Sequence, residues 1–155
     1  MGANILILLS LSLLYLSVAT NSLKVNYYAD SCPNVERIVQ KYVTKEIREK
    51  PSMAPSLLRL HFHDCFVSGC DASILLNGSH TEKSAYVNLN LRGYDFIDAV
   101  KKLLEEKCPK TVSCADIISL VARDAIVTIC SSKWDSATNG VLGCKLVGRL
   151  PGSQS

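Results

Sequence analysis

The sequence lacks a strong excess of either charge. It has 17 Lys and Arg residues against 14 Asp and Glu residues, and the net charge is +3 over 155 positions. Proteins that bind nucleic acid usually concentrate basic residues on one face, so this composition argues against nucleic acid as a partner. Internal repeats, low-complexity segments and domain linkers are absent as well. The length therefore indicates a single domain with its own core.

Long apolar runs are also missing, with one exception near the start. The run Ile5–Ala19 has no charged side chain, and Ser17 and Ala19 are small residues placed as at a signal-peptidase site. We predict a signal peptide over residues 1–19 that directs secretion and leaves no membrane segment after cleavage. The alternative is a membrane anchor, but about 15 apolar residues are few for a span that needs roughly 20.

Export changes what the seven cysteines mean. In an oxidising compartment they are expected to form disulfides rather than metal thiolates. An odd number leaves at least one thiol without an internal partner. The triplet Asn77-Gly78-Ser79 is an N-glycosylation sequon, which is usable on the same route.

Four segments repeat apolar residues at three- and four-residue steps, as amphipathic helices do. They run from Val35 until Pro51, from about Pro55 to Phe66, from Tyr94 to Lys107 and from Cys114 to about Thr128. Asn34 and Ser113 are expected to cap the first and the last helix. No segment alternates as a strand does, so the predicted fold is mostly α. Residues 130–155 show no sustained period and are expected to form a poorly ordered tail.

The stretch "RLHFHDCFVSGCDAS", from Arg59 to Ser73, concentrates reactive side chains. Arg59 and His63 are four residues apart and share one face of the second predicted helix. The guanidinium disfavours a charged imidazole, so His63 is expected to stay neutral and able to accept a proton. A neutral base beside a fixed cation suits a small acidic substrate. The alternative is an ordinary buried histidine beside a solvated arginine.

The same stretch carries oxygen ligands for a hard cation. Asp64, Asp71 and Ser73, with backbone carbonyls of the loop that contains Gly69, have the chemistry that Ca²⁺ prefers. The alternative is that Asp71 and Ser73 only satisfy turn amides.

Zinc is a rival for this stretch. It would use two histidines and two cysteines (His61, His63, Cys65 and Cys70). It fits poorly, because the two histidines diverge on a helix and an exported chain oxidises its thiols.

Several motifs together resemble a known family. "LRLHFHDCFVSGCDASILL" is similar to the distal haem motif of the plant secretory (class III) haem peroxidases. "YYADSCPNVERIV", "TEKSAYVNLNLRGYDFIDAVK" and "CPKTVSCADIISLVARDAI" resemble the family's mature start and its next two segments. The resemblance covers about Leu23 to Ile129, so residues 20–129 are identified as the distal half of a haem-peroxidase-like helical domain.

The resemblance implies a role for each matched site residue. His63 would move a proton between the two peroxide oxygens, and Arg59 would polarise the peroxide and stabilise the departing oxygen. Phe62 would wall the pocket. Asn88 would accept a hydrogen bond from the other nitrogen of His63, and Glu82 would support that network.

The resemblance also implies the ligands, partners and location. The disulfides would join Cys32 to Cys108 and Cys65 to Cys70. The cofactor would be haem b, the substrates hydrogen peroxide and small phenolic donors, and the protein a monomer in the cell wall, another extracellular site or the vacuole. Physiologically, the family's chemistry would remove peroxide in the response to oxidative stress. The distal Ca²⁺ would be bound by Asp64, Val67, Gly69, Asp71 and Ser73.

The family pattern stops near Ile129. The motifs of the family's second half are absent, and all three histidines of this chain, His61, His63 and His80, precede Asn88. No candidate remains for the proximal haem ligand. The resemblance places the partner of Cys114 in the missing second half, so Cys114, Cys130 and Cys144 are left as three, one of which stays unpaired or forms an intermolecular bond. The alternative to a peroxidase is therefore a truncated, non-catalytic secreted half-domain that at most binds Ca²⁺; a cell-wall interaction module has no feature in its favour beyond export and mild basicity.

Overall fold

A computed structural model describes residues 24–66 and 68–136 of the chain. Within these ranges there are four α-helices: α1 (Val35–Glu49), α2 (Met53–Cys65), α3 (Tyr94–Lys107) and α4 (Cys114–Ser136). Three single-turn 3₁₀ helices lie between α2 and α3, at Ser73–Leu75, Glu82–Ser84 and Tyr86–Asn88. The same ranges contain no β-strand, which confirms the mostly α fold predicted from the sequence.

Some of the predicted features fall outside this description. The predicted signal peptide at 1–19, the predicted calcium ligand Val67 and residues 137–155 of the predicted tail lie outside the described residues. Among the helices that are described, none is long and apolar enough to cross a bilayer.

The long helix α4 is the centre of the fold, because α1, α2 and α3 all pack against it. Its inner face repeats at four-residue steps through Ile117, Val121 and Ala125, each fully buried. The buried cluster to which this face belongs also contains side chains of the other helices, including Val39, Val43, Leu57, Leu60, Val100 and Leu104.

Two details of the helix ends differ from the sequence-based expectation. α4 continues to Ser136 rather than ending near Thr128, because the sequence has no Gly or Pro there to stop it. The predicted side-chain cap at Asn34 is wrong: Asn34 Oδ1 accepts a hydrogen bond from Arg37 Nη2 at 3.1 Å instead. The backbone of Asn34 does not have the extended conformation that an N-cap residue normally uses.

The start of α4 is fixed as predicted. The backbone N–H of Asp116 donates to Ser113 Oγ at 3.1 Å, which is the expected N-cap bond. The hydroxyl of Tyr28 also donates to the Asp116 carboxylate. This contact ties the segment before α1 to the first turn of the central helix.

Two further features hold the elements together. A disulfide joins Cys32, just before α1, to Cys108, just after α3. Gly93, which precedes α3, has a φ of +110°, and a Cβ built there would lie 2.9 Å from Leu57 Cδ2. Only glycine permits this backbone conformation and this close approach. The chain between Asn88 and α3 is therefore held against α2.

We expect Ile117→Ala to lower the free energy of unfolding by about 2–5 kcal/mol, because it leaves a cavity in the central helix interface. Urea unfolding followed by circular dichroism measures the change. Leu89→Ala is the matched control, since Leu89 is 62% exposed and its loss is expected to cost less than about 0.5 kcal/mol. Equal costs for the two variants would contradict the central position of α4.

Candidate functional site

Arg59 and His63 lie one turn apart on α2 and contact each other. Arg59 Nε donates to His63 Nε2 at 3.4 Å, with Arg59 exposed and His63 half-buried. His61, also on α2, lies apart from this pair, with its Nδ1 3.5 Å from Cys65 Sγ. The structure thus brings together the two residues that their spacing placed on one face and separates the second histidine from them.

The other nitrogen of His63 is held by Asn88. His63 Nδ1 lies 2.8 Å from Asn88 Oδ1, and Asn88 Nδ2 donates to the backbone carbonyl of Glu82 at 2.7 Å. This second bond fixes the orientation of the amide, so its oxygen must face the imidazole. His63 therefore donates through Nδ1–H and keeps the lone pair of Nε2 directed toward Arg59.

Glu82 supports this network through its main chain. Its backbone carbonyl, rather than its carboxylate, receives the hydrogen bond from Asn88. The 3₁₀ turns at Glu82–Ser84 and Tyr86–Asn88 bring that carbonyl and the Asn88 side chain together. The orientation of Asn88, and through it that of His63, consequently depends on the geometry of these turns.

An exposed aromatic pair borders the Arg59–His63 pair. Phe62 is 54% exposed and Phe66 is 72% exposed, and their ring centroids are 4.9 Å apart. The ring of Phe62 also meets that of His63 edge-on, at 6.0 Å between centroids. Phe66 was missed by the sequence analysis, although its four-residue spacing from Phe62 is the spacing of neighbours on a helix face.

Apolar exposure continues on the turn that carries Asn88. Tyr86, Val87 and Leu89 are 88%, 65% and 62% exposed. Clustered exposed apolar residues of this kind mark a surface that binds a ligand or another chain segment.

The predicted calcium ligands lie at the end of α2 and in the loop that follows. Asp64 is 1% exposed, and its Oδ2 accepts a hydrogen bond from the Ala72 backbone N–H at 3.1 Å. Among the described residues, neither Asp64 Oδ1 nor the Ser73 hydroxyl has a hydrogen-bond partner, although both atoms are buried. Gly69 has a φ of +95° in this loop, a conformation that favours glycine.

The Asp64 carboxylate is buried near other acids and has no positively charged partner among the groups that shift its pKa. Burial raises the pKa of its carboxyl, two backbone N–H groups oppose this, and the carboxylates of Asp71 and Glu82 raise the pKa further. A hard cation bound between the orphaned oxygens would relieve both the desolvation and the repulsion. These residues therefore fit Ca²⁺, although Asp71 Oδ1 also accepts from the Ser73 N–H at 2.9 Å, as the turn alternative expects.

A zinc site is not formed. Cys65 and Cys70 are joined in a disulfide, the pairing that the family resemblance implies, and so offer no thiolates. In the part of the chain that the structure describes, no three His, Cys, Asp or Glu side chains are grouped closely enough to hold a metal by themselves. A cation site must therefore use hydroxyl and carbonyl oxygens in addition to carboxylates.

The remaining predicted sites are placed as follows. Asn77 lies in an exposed loop, where its Oδ1 accepts from Lys83 Nζ at 2.9 Å. Cys114 carries a half-buried free thiol, and Cys130 is disulfide-bonded. Cys144 lies outside the described residues.

Comparison with known proteins finds peroxidases, both as a matching family model and as similar individual proteins. The family model described as Peroxidase matches residues 39–150, a range that extends past Ile129, where the quoted motifs end. Similar curated proteins include Peroxidase 3 and Peroxidase 39 of Arabidopsis thaliana, 51% and 52% identical over 118 and 120 residues. Each alignment covers 75% of this chain and 36% or 37% of the relative.

A tobacco relative extends the alignment. Peroxidase N1 of Nicotiana tabacum is 43% identical over 136 residues, which is 88% of this chain and 41% of the relative. The chain thus spans between about a third and two fifths of the length of these relatives.

We expect Asp64→Asn to make the calcium-free chain more stable near pH 7. The pKa of Asp64 is raised in the folded state, so the native state holds the proton more tightly than the unfolded state. The stability of the parent therefore falls as the pH rises from the unfolded pKa through the folded pKa of this carboxyl. Asparagine keeps an acceptor for the Ala72 N–H and removes the charge.

Urea unfolding without calcium at pH 7 and at about pH 3, where an unfolded Asp is protonated, measures this effect. The advantage of the variant is expected at pH 7 and should shrink at acid pH. Asp95→Asn, an exposed site on α3, is the control for a general charge effect. An Asp64→Asn variant that is less stable than the parent at pH 7 would contradict the conclusion that the Asp64 carboxylate lacks a positive partner.

Proposed function

Because this chain belongs to the peroxidase family, we propose that it provides the distal half of a haem peroxidase that uses hydrogen peroxide to oxidise small phenolic donors. The observation that carries the proposal is the oriented base: Asn88 holds His63 so that Nε2 is unprotonated and accepts from Arg59 Nε at 3.4 Å. Removal of peroxide in the response to oxidative stress follows from that chemistry.

The surface around this pair fits haem b. Arg59 and His63 supply polar groups, and the exposed rings of Phe62 and Phe66 supply an apolar border beside them. The exposed apolar side chains near Asn88 extend that surface. Haem bound there would supply a redox-active iron for the cleavage of hydrogen peroxide.

The chain's own residues then handle charge and protons. His63 Nε2 accepts a proton from one oxygen of the bound peroxide and gives it to the other, departing oxygen. The Arg59 guanidinium is a permanent donor that stabilises the negative charge on that oxygen. Asn88 stabilises the imidazole while it carries the extra proton, because Oδ1 accepts from the Nδ1–H group.

A bound haem would need a further iron ligand, and none of the three histidines of this chain is placed to supply it. His61 contacts Cys65, His63 is the distal base, and His80 is exposed in the loop beside the sequon. We propose that polypeptide equivalent to the second half of the relatives supplies the proximal histidine.

The supporting features belong to the same proposal. Ca²⁺ would be held by Asp64, Asp71, Ser73 and carbonyls of the loop, including Val67 and Gly69, and it would fix the end of α2 next to His63. The proposed route is secretion to the wall, another extracellular site or the vacuole, with a glycan at the exposed Asn77 and a monomeric product.

A second function is favoured by one observation. The orphaned Asp64 Oδ1 and Ser73 hydroxyl call for a cation whether or not haem is bound. Without a proximal half, the chain would act as a secreted, disulfide-bonded half-domain that binds Ca²⁺ and has no turnover.

We expect His63→Ala to lower peroxide-dependent guaiacol oxidation by about 100-fold, as loss of a general acid–base group does. The assay uses the full chain refolded with haemin and Ca²⁺, with imidazole added as a proximal base, and the Soret band reports haem binding. His61→Ala is the matched control, since it removes the same side chain from the same helix, and its rate should stay within about threefold.

Equal losses for the two histidine variants would refute the role given to His63. A parent chain that binds haem and shows no turnover would support the half-domain function for this polypeptide.

We expect calorimetric titration of the haem-free chain with Ca²⁺ to show one site, with affinity at least about tenfold weaker in Asp64→Asn, a difference of roughly 1.4 kcal/mol. Asp95→Asn should bind as the parent does. Absence of heat in the parent, or unchanged affinity in Asp64→Asn, would remove calcium from both proposed functions.

A further inference from the structure

A second cavity lies between α1 and the later part of α4, and none of its lining residues belongs to the site described above. Its volume is about 430 Å³. Apart from one valine, the lining is polar and comes from both helices: Gln40, Thr44, Arg48, Asp124, Thr128 and Ser131.

Asp124 is the buried acid of this cavity. It is 3% exposed, and its Oδ1 accepts a hydrogen bond from Arg123 Nε at 2.8 Å. Its Oδ2 is closed to solvent and has no hydrogen-bond partner in the described ranges. An unsatisfied buried polar atom lowers the stability of a fold by about 1–3 kcal/mol. This oxygen therefore needs a hydrogen-bond donor that the described residues do not supply.

The hydroxyl groups around Asp124 cannot supply that donor. Thr128 Oγ1 donates its single hydrogen to the Asp124 backbone carbonyl at 2.8 Å. Thr44 must then be the donor in its 3.3 Å contact with Thr128 Oγ1. Ser131 Oγ donates to the Val127 carbonyl at 2.9 Å. Every hydroxyl hydrogen of the lining is therefore used, so these hydroxyl groups offer a guest only acceptor lone pairs. The remaining N–H donors of the lining belong to Gln40 and Arg48, whose side chains are exposed.

The groups paired with Asp124 leave it short of positive charge. Asp124 shares Arg123 with Glu36, whose Oε2 lies 3.3 Å from Arg123 Nη1, so one guanidinium is opposed by two carboxylates. Burial raises the pKa of Asp124 and the bond from Arg123 opposes that rise. Arg48 is the only cation among the lining residues, and it is exposed on α1.

We propose that this cavity binds a compact cation with N–H donors, a guanidinium or a primary ammonium group, through Asp124 Oδ2 and the acceptor lone pairs of Thr44 and Ser131. The torsion that turns a carboxylate is soft, so the free oxygen of Asp124 can rotate toward the guest. The same chemistry is supplied by a small dissolved amine or by an Arg or Lys side chain of a polypeptide.

The test uses the full chain and compares methylguanidinium with tetramethylammonium, which has the charge but no N–H donor. Titration followed by amide chemical shifts is expected to show saturable shifts along α1 and α4 with methylguanidinium alone. Asp124→Asn should weaken binding at least tenfold, because an amide turned toward the guest offers a donor where an acceptor is needed. Thr44→Val should weaken it several-fold, and Asp98→Asn, exposed on α3, should leave it unchanged.

A peptide arm identifies the source of the cation. The peptide Gly-Arg-Gly is compared with Gly-citrulline-Gly, a neutral analogue of the same shape. Tighter binding of the arginine peptide than of methylguanidinium identifies a polypeptide side chain, and the reverse order identifies a small solute.

Three results would overturn the proposal: equal binding of tetramethylammonium, undiminished affinity in Asp124→Asn, or no saturable shift with any donor cation at millimolar concentration. Circular dichroism checks that each variant is folded. Thr44→Val, which keeps the side-chain volume, decides the matter if Asp124→Asn does not fold.

Discussion

The hydrogen bond between His63 Nδ1 and Asn88 Oδ1 is the contact on which the functional geometry depends. It joins α2 to the single 3₁₀ turn Tyr86–Asn88, which is too short to be stable by itself. The turn is fixed from both sides, by the bond from Asn88 to the Glu82 carbonyl and by the close packing of Gly93 on Leu57. Loss of either contact would free Asn88 to move, and His63 would then lose the bond that fixes its tautomer and its position beside Arg59.

Two buried acids, Asp64 and Asp124, share one arrangement. Each has one oxygen satisfied by a neighbouring N–H group and one oxygen that no described residue satisfies. Burial raises the pKa of both carboxyls. An apolar residue at either position would avoid that cost, so each acid is better explained by a guest than by the stability of the fold. Their surroundings select different guests: a loop with carbonyl and hydroxyl oxygens at Asp64, and a helix crevice with a nearby guanidinium at Asp124.

Periodicity predicted the helices well because their stability comes from a buried apolar face, and such a face leaves a direct mark on the sequence. α3 was predicted with its observed ends, and the pairing of Arg59 with His63 followed from helical spacing. The cap at Asn34 failed because the backbone conformation at one residue decides it. The role of the Glu82 carbonyl could not be predicted, since every residue has a backbone carbonyl and the sequence does not show which one will accept a bond. Asp124 escaped notice for another reason: its missing donor becomes visible only when α1 and α4 are packed together.

The Cys32–Cys108 bridge has a topological consequence. It closes a covalent ring that contains α1, α2 and α3, while α4, around which all three pack, lies outside the ring. Oxidation of this pair therefore restricts the outer elements of the bundle, while α4 is joined to the ring by the short segment between Cys108 and Cys114. Docking of that helix relies on its apolar face and on the contacts of Ser113 and Tyr28 at its first turn. A chain that formed the bridge before α4 docked would leave the faces of α1, α2 and α3 that pack on this helix uncovered until it arrived.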